Sequence, residues 1–456
     1  MAGPDLRRQD KPGDFAATVL REYHHKISRR RNQGYGAGMI DQPAPSGGFD
    51  VVIAGAGPTG LAMALALTHM LEDDVSVALV DRGPAPVEPV AQAASADPRA
   101  WALSNASKRF LEAIGIWREV VPAAQPVTEI DITDSSLEAG VRPVLLHYEN
   151  TTEEGEPAAW IVPNGALLAA LRKAVSAKSP AVVTELSGAG VAGLGSSVAG
   201  RRVTLADGRS IDAELVIAAD GRASALRKLA GIKTVRVDHD QVGIVTTVSF
   251  ERPHGGKAVQ HFLPGGPFAI LPLLGNRACI TWSEARATGE SIMAGDDDAF
   301  AAAVQRRFGG RLGPITVVGP RAAFPLTTEI ARSYIAPAFA LVGDAAHAVH
   351  PIAGQGLNLA FRDCAALAEC VAECAAEGLM LGDPAGLERY QRWRRFDSAV
   401  SAAVFGGLNG LFSNDVALVR SAREFGLGLV QRSETAKRFF INEAAGLSGD
   451  LPSLMR

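Results

Sequence analysis

An α/β fold with a parallel sheet, a second, mostly antiparallel sheet and a helical C-terminal region is what the sequence predicts, on three observations. Three apolar, strand-like runs far apart in the chain, Phe49–Ala54, Ile211–Ala219 and Phe339–Val342, each close on a Gly- or Asp-bearing turn that precedes a helix. Between Gln241 and Trp282, strand-like stretches are cut by Gly, Pro and Asn turns. Beyond Leu357 the spacing is helical almost to the end. At 456 residues the chain is long enough for two or three lobes with sizeable cores.

Composition excludes several classes. Hydrophobic content of 47% and charged content of 21% suit a soluble globular protein, and a net charge of -4 gives no reason to expect a nucleic-acid partner. No apolar run approaches the roughly 20 residues of a membrane span. The four cysteines lack zinc-ligand spacing, so no metal site is expected, and Cys364, Cys370 and Cys374 read as small apolar filler in one helix. That usage suits a reducing, cytoplasmic compartment. Residues 1–47 mix Arg29-Arg30-Arg31 with Asp5, Asp10, Asp14 and Glu22 and end in Gly, Pro and Ser. They read as a disordered extension, with a weak docking or membrane-surface arm as the alternative. They carry no secretory core segment, and their acidic residues fit a mitochondrial transit peptide poorly.

The first run opens the most specific motif. Phe49-Asp50-Val51-Val52-Ile53-Ala54 has the continuous apolar pattern of a buried parallel strand. Gly55-Ala56-Gly57-Pro58-Thr59-Gly60 follows, then an apolar helix from Leu61 to about Leu71 and a strand over Val75–Val80 ending in Asp81. In such a βαβ unit Gly55 permits the tight turn, Gly57 lets a pyrophosphate approach the backbone, and Gly60 lets helix and strand pack closely. Asp81, 21 residues beyond Gly60, sits where a carboxylate accepts from ribose hydroxyls. Ala56, Pro58 and Arg82 complete this Rossmann-like dinucleotide candidate, which by itself does not separate FAD from a nicotinamide cofactor.

Ser104 is positioned to cap a helix running through Leu111, and Arg99 lies in the preceding loop, as a pyrophosphate partner or a plain surface charge. Residues 126–150 alternate and belong to the second sheet. Trp160–Asn164 leads into a helix from about Gly165 to Ala177, and strands follow around Val182–Leu186, Arg202–Ala206 and Ile211–Ala219. The last closes on Asp220-Gly221, ordinary turn chemistry that here ends a buried strand before a helix. Strands over Val242–Phe250, Ala258–Phe262, Phe268–Leu274 and Ala278–Trp282 make the antiparallel sheet, one face of which can wall an apolar pocket. A helix over Asp297–Phe308 and a strand near Ile315–Phe324 lead to the third run. There Gly343-Asp344 offers a carboxylate to a ribose hydroxyl, and the helix N-terminus near Gly356 offers N–H groups to an anion. Further helices over Leu387–Phe405 and Val416–Val430 present apolar faces, with Leu418, Phe425, Leu429, Phe439, Phe440 and Ile441. Packing against the protein is the first account of them and a membrane or partner surface the alternative.

GAGPTG…D, ADG and GD…GQGLN in this order resemble the FAD-dependent aromatic hydroxylases of the para-hydroxybenzoate hydroxylase fold, the class A flavoprotein monooxygenases. The resemblance implies FAD as cofactor. It assigns FAD adenosine and pyrophosphate to Gly55, Gly57, Gly60 and Asp81, FAD and pyridine nucleotide to Asp220 and Gly221, and the ribityl chain and pyrophosphate to Gly343 and Asp344. Gly354, Gln355, Gly356, Leu357 and Asn358 would then lie along the flavin ring. DPRAWALS, AHAVHPIAGQGLNLAFRD and a tail with FSND, GLGLV, RFF and DLPSLM narrow the resemblance to the ubiquinone-biosynthesis branch, from residue 49 to the C-terminus. The expected organisation is an FAD-binding domain over 48–125, 152–236 and 320–378, a substrate domain over 126–151 and 237–319, and a helical region over 379–456.

That branch implies hydroxylation of the aromatic ring of a polyprenylated phenol by a flavin hydroperoxide, with dioxygen as co-substrate. The cofactor carries this chemistry, so no side-chain nucleophile is expected. His347 and His350 are candidates for acid–base work or for fixing the loop, and Pro351 for shaping the flavin-facing wall. The electron donor stays open between NADH, NADPH and a redox protein. Other quinone-biosynthesis proteins and a peripheral contact with the inner membrane are the partners the branch suggests. Two other readings remain: an FAD hydroxylase of a different aromatic substrate, and a non-catalytic flavoprotein subunit of a biosynthetic complex.

Overall fold

The computed structural model describes residues 48–84, 97–134, 137, 142–350, 354–395, 438 and 441–456. The extension 1–47, Pro351, the stretch expected as a helix over Val416–Val430, and Leu418, Phe425, Leu429, Phe439 and Phe440 lie outside these residues.

Five parallel strands run in the order Phe339–Leu341, Ser210–Ala218, Phe49–Ala54, Val77–Asp81 and Val183–Ser187. The three motif-bearing strands are therefore neighbours, and parallel pairing puts all three turns at one edge of the sheet. Val191–Ser197, Gly200–Leu205 and Ile335–Ala336 extend this sheet by antiparallel pairing. The central strands are Val- and Ile-rich because both faces are covered; Val51, Val52, Ile53, Val216 and Ile217 are fully buried. Helix Pro58–Met70 is buried on nearly every side and packs on helices Asn164–Ser176 and Gly356–Ala376. The terminal Leu454 and Met455 enter the same core.

The second sheet has nine strands. Its main path is His347–Ala348, Ala322–Ala331, Thr234–Phe250, Arg277–Ala285, Gly266–Leu273, Lys257–Leu263, Glu129–Asp134 and Val144–Glu149. Every pairing is antiparallel except that of Lys257–Leu263 with Glu129–Asp134, so the sheet is mixed. Strand alternation divides its apolar residues. Val248, Phe268, Ile280 and Trp282 face Phe300, Val304 and Phe308 of helix Asp297–Phe308. Val245, Leu273 and Cys279 meet Val127 and Ile161 of a three-stranded sheet made by Ala100–Ser104, Ala159–Pro163 and Gln125–Val127.

The structure adds elements the sequence reading lacked. Strand Val191–Ser197 and helix Arg286–Ala294 are new, and the strand expected near Ile315–Phe324 is two, Ile315–Val317 and Ala322–Ala331. C-terminal helical structure is present at 384–395 and 441–444. Among the described residues no helix is long and apolar enough to cross a membrane, and no His, Cys, Asp and Glu group is arranged to hold a metal.

The first helix sits on its strand only because Gly60 has no side chain: a Cβ there would lie 1.8 Å from the Gly55 carbonyl oxygen. Gly60→Ala is expected to lower the melting temperature by several degrees, since the backbone must move apart. An unchanged melting curve would show that the helix–strand spacing is not set at this residue.

Candidate active site

The first turn is held by Asp81. Its Oδ2 accepts from the Ala56 N–H at 2.6 Å and its Oδ1 from the Gly83 N–H at 2.7 Å, so it shapes the turn it was expected to serve with a ribose contact. Gly55, at φ +107°, lies so near Ala219 that a Cβ would come within 2.3 Å of its carbonyl oxygen. Gly57 precedes Pro58 at the helix start without any side-chain cap, and a Cβ on it would meet nothing within 4 Å. Uncapped N–H groups beside open space make an anion cradle. Arg172, which the sequence reading missed, donates to the Ala56 carbonyl at 3.3 Å. Arg82 is exposed beside this turn.

At the second turn, Asp220 Oδ2 accepts from the Ala225 and Leu226 N–H groups at 2.8 and 3.2 Å. Its Oδ1 is buried with no partner among the described residues, and Gly221, at φ +79°, has open space where a Cβ would be. Arg227, buried and also missed, donates to Ala345 O, Arg222 O and Glu329 Oε1. It joins the second turn to the third and to the nine-stranded sheet.

At the third turn Gly343 takes φ +59° and Asp344 is exposed. Arg99 lies close enough to feel the Asp344 charge. Its guanidinium is gripped by Asp97 at 2.6–3.1 Å, and this hydrogen bonding raises the Arg99 pKa despite burial. Asn164 orients Asp97 at 2.7 Å and accepts from Trp101 Nε1 at 2.7 Å. The rings of Trp101 and Phe324 lie 5.6 and 5.8 Å from the Arg99 guanidinium.

Gly354, at φ +64°, is close to Ala102, while a Cβ on Gly356 would meet nothing within 4 Å. Gln355 precedes the long helix without a side-chain cap. Asn358 donates to Ala102 O at 2.9 Å and accepts from Ser104 N and Ser107 Oγ at 3.0 and 2.8 Å. Its side chain thus ties the helix start to the strand after Arg99. Buried Leu357 lies beside it.

The two histidines differ. His347 is fully buried and donates from Nε2 to Asp363 Oδ2 at 2.6 Å. His350 is also buried, stands edge-on to His239 at 5.1 Å, and has both ring nitrogens without a partner among the described residues. Burial, then the charges of His239 and Arg222, push its pKa down to about 3. A ring so reluctant to take a proton is a poor general base near neutrality.

A sequence profile described as FAD binding domain matches residues 48–402. The chain belongs to this family. It is 40% identical over 410 residues to the ubiquinone hydroxylase UbiL of Rhodospirillum rubrum, covering 89% of this chain and 92% of that one. It is 31% identical to the 3-demethoxyubiquinol 3-hydroxylase of Escherichia coli, covering 90% of this chain and 100% of that one. A solved structure, p-nitrophenol 4-monooxygenase PnpA from Pseudomonas putida, superposes with a TM-score of 0.72 at 17% identity, covering 88% and 98% of the two chains. At that identity the likeness is one of fold. The residues fit FAD: two uncapped helix starts with glycines open toward them, the orphaned Asp220 Oδ1 and the exposed Asp344 are what a dinucleotide would complete.

Asp344→Ala is expected to fold and to lose most of its FAD, read as the ratio of flavin absorbance to protein in the purified enzyme. Wild-type flavin content would remove Asp344 from the site. A second expectation concerns pH. His350 and His261 are both held down to about 3 from the ordinary 6.5, mainly by burial. The unfolded chain gains a proton at each ring as pH falls through 6.5 and the folded chain only near 3, so stability should drop as pH falls across that window. In urea titrations, His261→Asn should flatten that slope; an unaltered slope would clear this ring of the effect.

Proposed function

We propose that the protein is an FAD-dependent monooxygenase that hydroxylates the aromatic ring of a polyprenylated phenol in ubiquinone biosynthesis. The observation that carries the reading is the convergence of GAGPTG…D, ADG and GD…GQGLN at one edge of one parallel sheet. The names of relatives aligned along nearly the whole chain support the substrate class. Bound and reduced, FAD supplies activated dioxygen, one atom of which enters the ring while the other leaves as water, with two electrons and two protons consumed. NADH, NADPH or a redox protein provides those electrons.

The chain's own residues bind, orient and exclude water. N–H groups at the starts of helices Pro58–Met70 and Gly356–Ala376 would face the pyrophosphate and the flavin ring, where fixed dipoles stabilise negative charge without reorganisation. Asp81 and Asp344 would receive ribose and ribityl hydroxyls, with Arg99 and Arg172 adding positive charge near the phosphates. The chemistry is carried by the cofactor, so the reading calls for no side-chain nucleophile. The prenyl chain calls for an apolar channel. The part of the nine-stranded sheet around exposed Phe324, beside Arg99, is the proposed wall.

Mass spectrometry of lipid extracts from cells with and without the gene tests this reading. Ubiquinone should fall and a prenylphenol lacking one hydroxyl should accumulate, its missing position naming the carbon attacked. Unchanged ubiquinone in cells with no second hydroxylase would sink the quinone assignment.

A further inference from the structure

The buried charges beneath the third turn have no part in the reaction just described. Asp363 is 0% exposed, on a face of helix Gly356–Ala376 that otherwise carries Leu359, Ala360, Ala366 and Leu367. Its Oδ2 accepts from the Gly343 N–H at 2.9 Å and from His347 Nε2 at 2.6 Å, and its Oδ1 from Arg394 Nε at 2.8 Å. Arg394 is itself 0% exposed. Burial works against the charged carboxylate, but His347 and Arg394 outweigh it and hold its pKa below the ordinary value. One carboxylate therefore joins the glycine of the third turn, the loop that follows it, and the helical stretch 384–395.

A buried ion cluster of this kind is poor value as a source of stability, because well-packed apolar residues do as well or better. What apolar residues cannot give is a directed acceptor for one backbone N–H. The N–H held here belongs to Gly343, whose turn is wedged tightly: a Cβ would lie 3.1 Å from both Ala360 Cβ and Thr59 Cγ2. The next residue is Asp344, exposed at the cofactor edge. We propose that Asp363, braced by Arg394, is a positioning residue that fixes the Gly343–Asp344 turn in its FAD-binding conformation. Arg394 acts through Asp363 and touches no ligand. The inference rests on the FAD reading above and adds the residues that set affinity from behind the site.

The test uses full-length protein stripped of flavin, titrated with FAD, with apoprotein melting followed in parallel. Asp363→Asn should weaken FAD binding by about tenfold or more per folded molecule, the equivalent of one lost charge-assisted hydrogen bond. Arg394→Lys keeps the charge but loses the planar fork, and a weakening of roughly threefold is expected. Arg307→Lys disturbs a comparable buried pair, with Glu284 at 2.7 Å in the other sheet. That control should melt lower yet bind FAD as the wild type does. Wild-type affinity in the folded fraction of Asp363→Asn, however low its melting point, overturns the proposal, as does equal weakening by Arg307→Lys. Should Asp363→Asn fail to fold, wild-type affinity in Arg394→Lys overturns it. A wild-type chain that binds no FAD defeats the cofactor reading itself, a result distinct from either.

Discussion

The site depends on backbone meeting backbone at Gly55 and Gly60. A Cβ on Gly60 would overlap the Gly55 carbonyl, and one on Gly55 would overlap that of Ala219. Side-chain-free contact at both points brings helix Pro58–Met70 down onto the first strand and draws that strand's turn against the end of Ser210–Ala218. Gly55 N–H then donates to Val80 O, and Ala219 N–H to Ala54 O, at 2.8 Å each. Once these turns are close, the uncapped helix start and Asp220 face one region. The third strand joins through Val342 N–H to Ala218 O at 3.1 Å. Parallel pairing does the rest, because it leaves no way for the three turns to lie at different edges.

Charge inside this frame is used for connection. Arg227 binds backbone carbonyls of two segments and Asp363 one backbone N–H, and each has an ionic partner. Leaving either charge unpaired in the interior would cost about 3–5 kcal/mol, so each pair is committed to one arrangement. The strand His347–Ala348 pairs with Glu329 and Ile330, which carries the connection from the cofactor turn into the nine-stranded sheet. Motion of that sheet relative to the third turn would have to break these directional contacts.

The parts legible in the sequence were those with local causes. Positive-φ glycines, buried strand runs and the Ser104 cap, which accepts from Ser107 N at 3.2 Å, depend on neighbours a few residues away. Strand Val191–Ser197 was missed because VAGLGSS has neither bulk nor period. Helix Arg286–Ala294 was missed because Gly289 interrupts it, although a Cβ there would strike Val242 at 2.2 Å, so glycine is what lets the helix lie on the sheet. The strand expected to close at Phe324 runs on through Pro325, which takes an exposed position in Ala322–Ala331. Arg172, Arg227, Asp363 and Arg394 escaped because their partners are distant in sequence. Asp363 did leave one signal: a carboxylate within an apolar helical stripe needs a partner.

Most polar side chains at the cofactor edge serve the protein itself. Asp81 holds the first turn, Asn358 the strand after Arg99, His347 the carboxylate beneath Gly343, and Asp97 the Arg99 guanidinium. What is offered to a dinucleotide is N–H groups, open glycines, Asp344, Asp220 Oδ1, the further acceptor capacity of Asp81 and the charge of Arg99 and Arg172, none of which reads the substrate. Discrimination among aromatic rings must therefore come from the walls around the flavin, where hydrophobic contact and a few polar groups set the fit. A chain only 17% identical shares the fold at a TM-score of 0.72, so the fold by itself does not name the ring. The motifs that reveal the cofactor are silent about the ring, so the substrate has to be argued from the residues that surround it and not from the fold.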